Sequence, residues 1–366
     1  MMAAVEPIAI DGSFLEGGGQ ILRMGLALSS VRKLPITVTK IRAGRPNPGL
    51  RPQHLTGLQL VRDTSNGRLE GGEIGSMEIS FYPGHISGGK YVADTQTAGS
   101  VSLLIQAALP CALYASSPTY LTLSGGTNAE MAPQVDYTIH VFRKVSAWFG
   151  ADFRLFLNRR GFYPQGRGEV SLEVKPARQG LIAADFTDFG EVVSVYGKAY
   201  VAGVLPIRVA HKMADAAENL LYQNLPQGVK IRVDRIQEHP ETAVGSGSGI
   251  VLWAETTSGC ILGGSSLGKK GKPAEQDGEN AAKEILDCIK RKACLDSHSQ
   301  DQVILFMALA KGKSIIRTGP ITDHTKTAIH VAELMTKVKF TITEDKESDC
   351  IFIECDGLGL TPKDRK

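Results

Sequence analysis

A single pattern of strands and helices occurs three times along the 366 residues of this chain, and this repetition constrains the fold more than any other feature. In the first copy, the strand-like IAIDG leads through a glycine-rich loop into a helix, and a second strand, a second helix and two closing strands follow. The same order recurs from about residue 90, and most of it recurs from about residue 299. Strands that alternate with helices predict an α/β fold whose sheets carry helices on one face.

A segment between the second and third copies interrupts this rhythm. Residues 188–284 contain strand-like stretches such as VVSVYGKAYVAG and VKIRVDRIQEH, together with helix-like stretches. We therefore predict a small α/β domain, residues 188–284, inserted into the third copy. The remaining residues, 1–187 and 285–366, are predicted to form one large domain from the three copies.

Net charge and cysteine spacing exclude several classes of protein. The formal charge is only +3, which excludes a strongly basic, histone-like binder but leaves room for a local basic groove. The six cysteines include no C-x-x-C pair, so we expect reduced thiols and no structural zinc site. We see neither a signal-peptide pattern nor an apolar run long enough to span a bilayer, and we expect an intracellular protein without membrane contact.

Polar residues gather near the positions where the helices of the pattern begin. The free N–H groups at a helix start favour anions, and in a repeated unit these starts face the same rim. We therefore expect a site for an anionic ligand along that rim. The residues concerned are Glu16, Gln20 and Arg23 in the first copy, Gln106, Pro133 and Gln134 in the second, and Asp301, Gln302 and His324 in the third.

The loop IRAGRPNPGLRPQH at residues 41–54 is the most informative stretch. It contains Arg42, Arg45 and Arg51, and it ends with Gln53 and His54. Guanidinium groups bind phosphate oxygens through paired hydrogen bonds, and prolines stiffen a loop before its ligand arrives. The same composition also suits a solvated basic loop, so composition alone leaves both interpretations open.

Two further side chains suit phosphate chemistry, and each also has a plainer structural interpretation. His324 stands in TDHTKT, where a neutral imidazole could attack phosphorus or could simply follow a helix cap formed by Thr322 or Asp323. Glu16 beside three glycines could bind a metal ion or could be an ordinary carboxylate at a helix entry. These glycines lack the residue order of a P-loop. In the insert, KKGK at 269–272 could contact RNA phosphates or form a solvated turn.

Taken together, these stretches resemble the motifs of RNA 3′-terminal phosphate cyclases. The resemblance implies a large domain of three βαβαββ repeats like those of EPSP synthase. It also implies an insert in the third repeat that is similar to the C-terminal fold of a bacterial translation initiation factor. The resemblance runs from about residue 8 to the C-terminus and rests on EGGGQILR (16–23), IRAGRPNPGLRPQHL (41–55), TAGSVSLLIQ (97–106), GGTNAEMAPQVDY (125–137), RGFYPQGRGEV (160–170), AGVLP (202–206), DQ (301–302) and DHTKTAIH (323–330).

The resemblance also implies an activity, in which ATP is used to convert an RNA 3′-phosphate into a 2′,3′-cyclic phosphate with release of AMP and pyrophosphate. A histidine first takes up AMP, the AMP passes to the RNA 3′-phosphate, and the neighbouring 2′-hydroxyl then displaces it. The family implies ATP and a divalent ion, Mg²⁺ or Mn²⁺, as cofactors and RNA 3′-phosphate ends as partners. No obligate protein partner is evident from the sequence, which leaves the oligomeric state open. The family favours a nuclear location, with the cytoplasm as the alternative.

Motif positions carry the family's functional residues over to this chain. His324 is then the nucleophile that takes up AMP, and Glu16 serves the metal ion and the phosphates. His298 stands where family members commonly have a tyrosine that stacks on adenine, and Arg167 stands where we expect glycine. The residues implied around the adenosine are Gln106, Pro133, His298, Asp301 and Gln302, and those implied for the phosphate and RNA-end pocket are Arg23, Arg42, Arg45, Arg51, Gln53 and His54.

Three alternatives share parts of this pattern. A cyclase-like protein of ribosome biogenesis has the fold but lacks the histidine nucleophile, so His324 and the complete arginine loop favour the enzyme. A transferase of the EPSP synthase type has six repeat units, whereas this chain has three. An enzyme that adenylates RNA 5′-phosphate ends would use the same histidine, and the sequence leaves that alternative open.

Overall fold

The computed structural model of the protein describes residues 6–15 and 17–362. These residues form four β-sheets with helices packed against them, so the predicted mixed α/β class is confirmed. The helices among these residues are all too short or too polar to cross a lipid bilayer. All six cysteines lie in the described part of the chain, and each is a free thiol.

The first sheet and its two helices come from residues 8–82: β1 (Ile8–Asp11), α1 (Gly19–Arg32), β2 (Ile36–Thr39), α2 (Pro52–Thr64), β3 (Arg68–Glu70) and β4 (Ile79–Tyr82). The strand order is β1-β2-β4-β3. Strands β1 and β2 are parallel, whereas β4 is antiparallel to both β2 and β3. Helix α1 therefore crosses between two parallel strands, and α2 leaves from the same edge of the sheet.

The second sheet is built from β5 (Gly89–Asp94), α3 (Val101–Leu113), β6 (Thr119–Gly125), α4 (Val135–Tyr137), α5 (Arg143–Ala147), β7 (Asp152–Gly161) and β8 (Gly168–Lys175). A π-helical turn, Thr138–Phe142, joins α4 to α5. Strands β5 and β6 are parallel, and β8 is antiparallel to β6 and to β7. Side chains of β6 alternate between buried and more exposed, as expected for a strand with one face on the core.

The third sheet repeats these pairings with β9 (Asp185–Phe186), α8 (Ser297–Leu309), β15 (Lys311–Thr318), α9 (Asp323–Thr336), β16 (Phe340–Asp345) and β17 (Cys350–Leu358). Strands β9 and β15 are parallel, and β17 is antiparallel to β15 and to β16. In each of the three sheets a helix thus begins beyond the carboxyl end of a parallel strand. These helix starts are the places where polar side chains meet in the candidate site.

The fourth sheet lies in the segment that interrupts the pattern. It contains β10 (Val192–Ala202), β11 (Lys230–Gln237), β13 (Gly247–Thr256) and β14 (Ile261–Leu267), in the order β11-β10-β13-β14, and it carries α6 (Arg208–Asn224) and α7 (Ala274–Arg291). The two helices pack very closely, because a side chain at Gly278 would lie 2.0 Å from the carbonyl oxygen of Met213. The short strand β12 (Ala243–Val244) pairs with β7 of the second sheet. The limits predicted for the two domains stay a prediction.

The largest part of the core lies where the helices of the three repeated sheets pack together. Helices α1, α3 and α8 are buried on nearly every side, in keeping with sequences such as VSLLIQAALPCAL. Fully burying one leucine or phenylalanine contributes about 1.5–3 kcal/mol to stability, so this cluster holds α1, α3, α8 and α9 in fixed relation. Polar side chains that project from the starts of these helices are fixed with them.

Candidate functional site

An open cleft of about 620 Å³ lies where the starts of α8 and α9 face the inserted sheet. Its wall includes the loop that precedes α4 and the turn that follows β14. Eight of the residues predicted from the sequence line this cleft, although they come from five separate stretches of chain: Arg23, Gln106, Pro133, Gln134, His298, Asp301, Gln302 and His324.

His324 is the second residue of α9, and its side chain is exposed. Thr322 caps the helix, since its hydroxyl oxygen accepts a hydrogen bond from the N–H of Thr325 at 3.1 Å. The capping function is therefore met without His324. The imidazole Nδ1 lies 2.9 Å from the side-chain oxygen of Gln20, which leaves this ring oriented by a side chain of another helix.

Gln20 joins His324 to Asp301. The side-chain nitrogen of Gln20 donates a hydrogen bond to Oδ2 of Asp301 at 2.7 Å. Burial raises the pKa of Asp301 to about 6, although the nearby His324, His298 and Arg23 act in the opposite direction. The three residues Gln20, Asp301 and His324 form a hydrogen-bonded chain across the starts of α1, α8 and α9.

Arg23 connects the main cleft to a second, smaller pocket. Its Nε donates a hydrogen bond to Oε1 of Gln106 at 3.1 Å, which ties α1 to α3. Arg23 also lines the small pocket together with Gln53 and His54. The structure thus brings two of the residues from loop 42–54 next to a residue of the main cleft.

The imidazole of His54 stays neutral in an unusually basic environment. Its pKa is lowered to about 4, first by burial and then by the positive charges of Arg42, Arg23 and Arg51. A side chain at Gly19 would lie 2.6 Å from Nε2 of His54, so only glycine lets the start of α1 approach this ring. Three cations and a helix start therefore converge here, which is an arrangement that suits phosphate groups.

Several side chains of the arginine loop also hold the loop itself. One guanidinium nitrogen of Arg42 donates to the carbonyl oxygens of Asn47 at 2.5 Å and Gly49 at 3.0 Å. The side-chain oxygen of Gln53 accepts a hydrogen bond from the N–H of Ser100 at 2.6 Å, at the start of α3. Arg51 is exposed just before α2, and Arg45 is partly exposed on the same loop.

The adenosine-binding residues implied by the resemblance lie on one side of the cleft. The side-chain amide of Gln302 donates to the carbonyl oxygen of His298 at 2.5 Å. The His298 ring packs edge-on against Tyr137, with 5.4 Å between ring centroids and an angle of 73° between planes. The ring of His298 is therefore braced from behind, and Pro133 lines the cleft with it.

The insert contributes further cleft residues, of which Ser265 and Glu284 had no function predicted from the sequence. Glu284 of α7 accepts a hydrogen bond from the N–H of Ser265 at 2.8 Å, and both line the cleft. Lys269 and Lys272 also line it, but Lys272 forms an ion pair of 2.6 Å with Asp277. The sequence pointed to this wall of the cleft only through its run of lysines. Glu284 could not be found in the same way, because its position depends on how the inserted sheet packs.

Glu16, the predicted metal and phosphate ligand, lies outside the described residues. Within residues 6–15 and 17–362, no group of three or more histidine, cysteine, aspartate or glutamate side chains is arranged to hold a metal ion. The described residues thus contain no such group, and we derive no chemical step through a divalent ion. The assignment of Glu16 stays a prediction.

Comparisons with known proteins bear on what such a cleft does. A family model described as RNA 3′-terminal phosphate cyclase matches residues 14–342 of the chain. A Drosophila melanogaster protein named RNA 3′-terminal phosphate cyclase is 41% identical over 362 residues, which cover 99% of each protein. A Pyrococcus furiosus protein of the same name is 43% identical over 330 residues, covering 89% of this chain and 92% of the relative. A Dictyostelium discoideum protein named as a probable RNA 3′-terminal phosphate cyclase is 39% identical over 365 residues, covering 97% of this chain and 84% of the relative.

Proposed function

The chain belongs to the RNA 3′-terminal phosphate cyclase family, and on that premise we propose that it uses ATP to close RNA 3′-phosphate ends into 2′,3′-cyclic phosphates. One observation supports this proposal above the others. An exposed histidine, His324, stands at the start of a helix in an open cleft, next to residues that suit a nucleotide and its phosphates.

In the first proposed step, His324 attacks the α-phosphorus of ATP. A bond forms between the imidazole nitrogen and phosphorus, the bond to the β-phosphate oxygen breaks, and pyrophosphate leaves with the electron pair. The position of His324 on the first turn of α9 supports this step, because free N–H groups at a helix start stabilise the negative charge on the attacked phosphate.

In the second and third proposed steps, AMP passes to the RNA and is then displaced. An oxygen of the RNA 3′-phosphate attacks the phosphorus of the His324 adduct, which frees the imidazole and forms a phosphoanhydride. The 2′-hydroxyl of the terminal ribose then attacks the RNA phosphorus and expels AMP, while its proton passes to solvent or to a base. Because the 2′-hydroxyl is the attacking group, the terminal sugar must be ribose.

The cations beside the cleft suit the RNA end. Arg23, Arg42 and Arg51 are the charges that act on His54, so all three lie near the start of α1. A phosphoryl group in transfer spreads negative charge over its oxygens, and guanidinium groups stabilise that charge through paired hydrogen bonds. We propose that the RNA 3′-phosphate binds at this basic pocket and the nucleotide in the larger cleft.

We propose that the adenosine binds against Pro133 and His298, near Gln106 and Gln302. These four residues line the same cleft as His324. An imidazole offers less stacking area than the phenol that is common at this position of the family, so ATP affinity is expected to be reduced but not lost. A divalent ion at Glu16 and a nuclear location remain predictions beside this proposal.

The test is mass spectrometry of the protein after incubation with ATP. We expect an AMP adduct on the native chain and on His239→Ala, a control that removes an exposed histidine of the insert, and no adduct on His324→Ala. An adduct on all three proteins, or on none, would contradict the proposal. A chain that acts only as a ribosome-biogenesis scaffold would give none.

The RNA product gives the second half of the test. An oligonucleotide with a 3′-phosphate on a terminal ribose should be cyclised, whereas the same oligonucleotide with a terminal 2′-deoxyribose should accumulate as the adenylated end. If AMP were found only on 5′-phosphate ends, the alternative of 5′-end adenylation would replace cyclisation.

A further inference from the structure

We infer that Gln20 is a positioning residue that fixes which ring nitrogen of His324 carries the proton, and that Asp301 holds Gln20 in the required orientation. This inference rests on the proposed function, because it concerns the histidine that takes up AMP. The resemblance implied no function for Gln20, and it placed Asp301 beside the adenosine. The structure instead connects both residues to the nucleophile.

The geometry defines the direction of each hydrogen bond. The side-chain amide of Gln20 has a nitrogen that only donates and an oxygen that only accepts. Its nitrogen lies 2.7 Å from Oδ2 of Asp301, and an ionised carboxylate only accepts, so the nitrogen must face Asp301. The oxygen then faces Nδ1 of His324 at 2.9 Å, and Nδ1 must therefore carry a proton.

This arrangement leaves the lone pair of neutral His324 on Nε2. A free imidazole prefers to carry its proton on Nε2, where it would block attack from that nitrogen. Because the oxygen of Gln20 accepts a hydrogen bond from Nδ1–H, it favours the opposite tautomer, with the proton on Nδ1. The carboxylate that orients a catalytic histidine in hydrolases acts in the same way. Gln20 thus prepares Nε2 for the bond to phosphorus.

The same hydrogen bonds also accommodate the positive charge that develops on the His324 ring during the attack. When Nε2 forms its bond to phosphorus and pyrophosphate leaves with the electron pair, the ring retains the Nδ1 proton and becomes positive. The oxygen of Gln20 still accepts from that proton, and the negative Asp301 lies one hydrogen bond further along. No proton has to leave the ring in this step.

The three residues are held firmly enough for this function. Gln20 is only 4% exposed and lies in the first turn of α1, whereas Asp301 and His324 lie on α8 and α9. These helices pack on one another in the core, so the separations within the chain of hydrogen bonds are set by the fold. A rigid supporting residue is what keeps a nucleophile in one tautomer and one direction.

A purely structural function of Gln20 makes a different prediction. If the amide only tied α1 to α8, its loss would lower stability and leave the tautomer of His324 unchanged. Gln300 offers a matched control, because it is also a buried glutamine, 1% exposed, in the first turn of α8 and beside the start of α9. Its amide binds Thr325 and the backbone at Thr322, Gly319 and Pro320, and it is not hydrogen-bonded to His324.

The experiment compares native protein, Gln20→Leu, Asp301→Asn and Gln300→Leu by ¹⁵N NMR of labelled histidine, with His324→Ala used for assignment. Above the pH range where the ring is protonated, His324 should carry its proton on Nδ1 in the native protein and in Gln300→Leu. The proton should shift toward Nε2 in Gln20→Leu, and to a smaller extent in Asp301→Asn. An unchanged tautomer in Gln20→Leu would overturn the inference.

Single-turnover adenylation by ATP then tests the consequence. The rate of adduct formation at saturating ATP should fall by about 10²- to 10⁴-fold in Gln20→Leu, as expected for a wrong tautomer, with melting temperature measured alongside. Gln300→Leu should lose stability with little change in that rate. A normal rate in folded Gln20→Leu would overturn the inference. Failure of the native protein to form any adduct would instead contradict the proposed function, while the NMR result would stand by itself.

Discussion

Two networks of polar side chains in this molecule differ in how far they are closed to solvent. The first, which we call the cleft network, comprises Gln20, Asp301, His324, Arg23 and Gln106, and it opens onto the cleft. The second, the junction network, lies between β7 and the inserted segment. It comprises Arg160, Asp136, Glu238, Tyr200, Asn128 and Gln134.

In the junction network every charge has an opposite charge beside it. Arg160 is 3% exposed and binds Asp136 through two hydrogen bonds of 2.5 and 2.9 Å. Its Nε donates to Glu238 at 2.6 Å, and its guanidinium lies 3.9 Å from the ring centroid of Tyr200. Although burial by itself raises the pKa of Asp136, the charge and hydrogen bonds of Arg160 hold it below the usual value.

The difference between the networks shows what each one does. Asp301 in the cleft is bound by a neutral amide and has a raised pKa, so it is held less firmly in its charged form than Asp136. The junction network is fully paired and fixes the inserted sheet against the second sheet. The cleft network retains groups that can still bind or react, and it depends on the junction to keep the insert's wall in place.

Among the substitutions that test this comparison, Arg160→Ala is expected to have the largest effect on the stability of the protein. Removing Arg160 leaves the buried Asp136 without a compensating charge and takes the ion-pair partner from the partly buried Glu238, which is expected to destabilise the protein by about 3–5 kcal/mol. Chemical denaturation of Arg160→Ala and of Arg154→Ala, an exposed arginine on the same strand, measures the effect. Similar stability of the two variants would show that the junction network does not fix the insert.

The sequence predicted the α/β class and many of the cleft residues, because both depend on local patterns. The alternation of strands and helices can be read from the sequence, and residues such as Arg23, Gln106 and His324 lie in long motifs. The π-helical turn Thr138–Phe142 has no comparable signal, because it results from packing rather than propensity.

Contacts between distant parts of the chain were the part that the sequence did not reveal. Gln20 was recognised as a polar residue at a helix start, but its partner His324 lies 304 residues away. That pairing depends on how α1 packs against α9. The wall of the cleft around Glu284 and the burial of Arg160 depend in the same way on the position of the insert.

A smaller effect at the junction is expected from Tyr200→Phe. The Tyr200 hydroxyl donates to the side-chain oxygen of Gln134 and accepts from the nitrogen of Asn128 at 2.6 Å. Its removal leaves buried amide groups short of a partner, which is expected to destabilise the protein by about 1–3 kcal/mol. The exposed Tyr222, whose hydroxyl donates to Ile231, provides the control Tyr222→Phe. Equal melting temperatures of the two variants would contradict the conclusion that the junction network is closed to solvent.

The smallest effect concerns the basic pocket beside the cleft, and it appears as a dependence on pH. The pKa of His54 is lowered from 6.5 to about 4 in the folded protein, so the unfolded chain takes up the proton first as the pH falls. Stability from His54 is therefore present above about pH 6.5 and is lost progressively toward pH 4. After allowance for screening at a partly exposed ring, we expect about 1 kcal/mol between pH 7 and pH 5.

Comparing native protein with His54→Gln isolates this dependence, because the other titrating groups, including His140 and Asp301, are common to both proteins. Denaturation at pH 7 and pH 5 should show a smaller loss of stability in His54→Gln, and His239→Gln at an exposed site should behave like the native protein. If both variants lost as much stability as the native protein, His54 would be protonated as readily as a free histidine. The three arginines would then lie too far from the ring to form one phosphate pocket beside the cleft network.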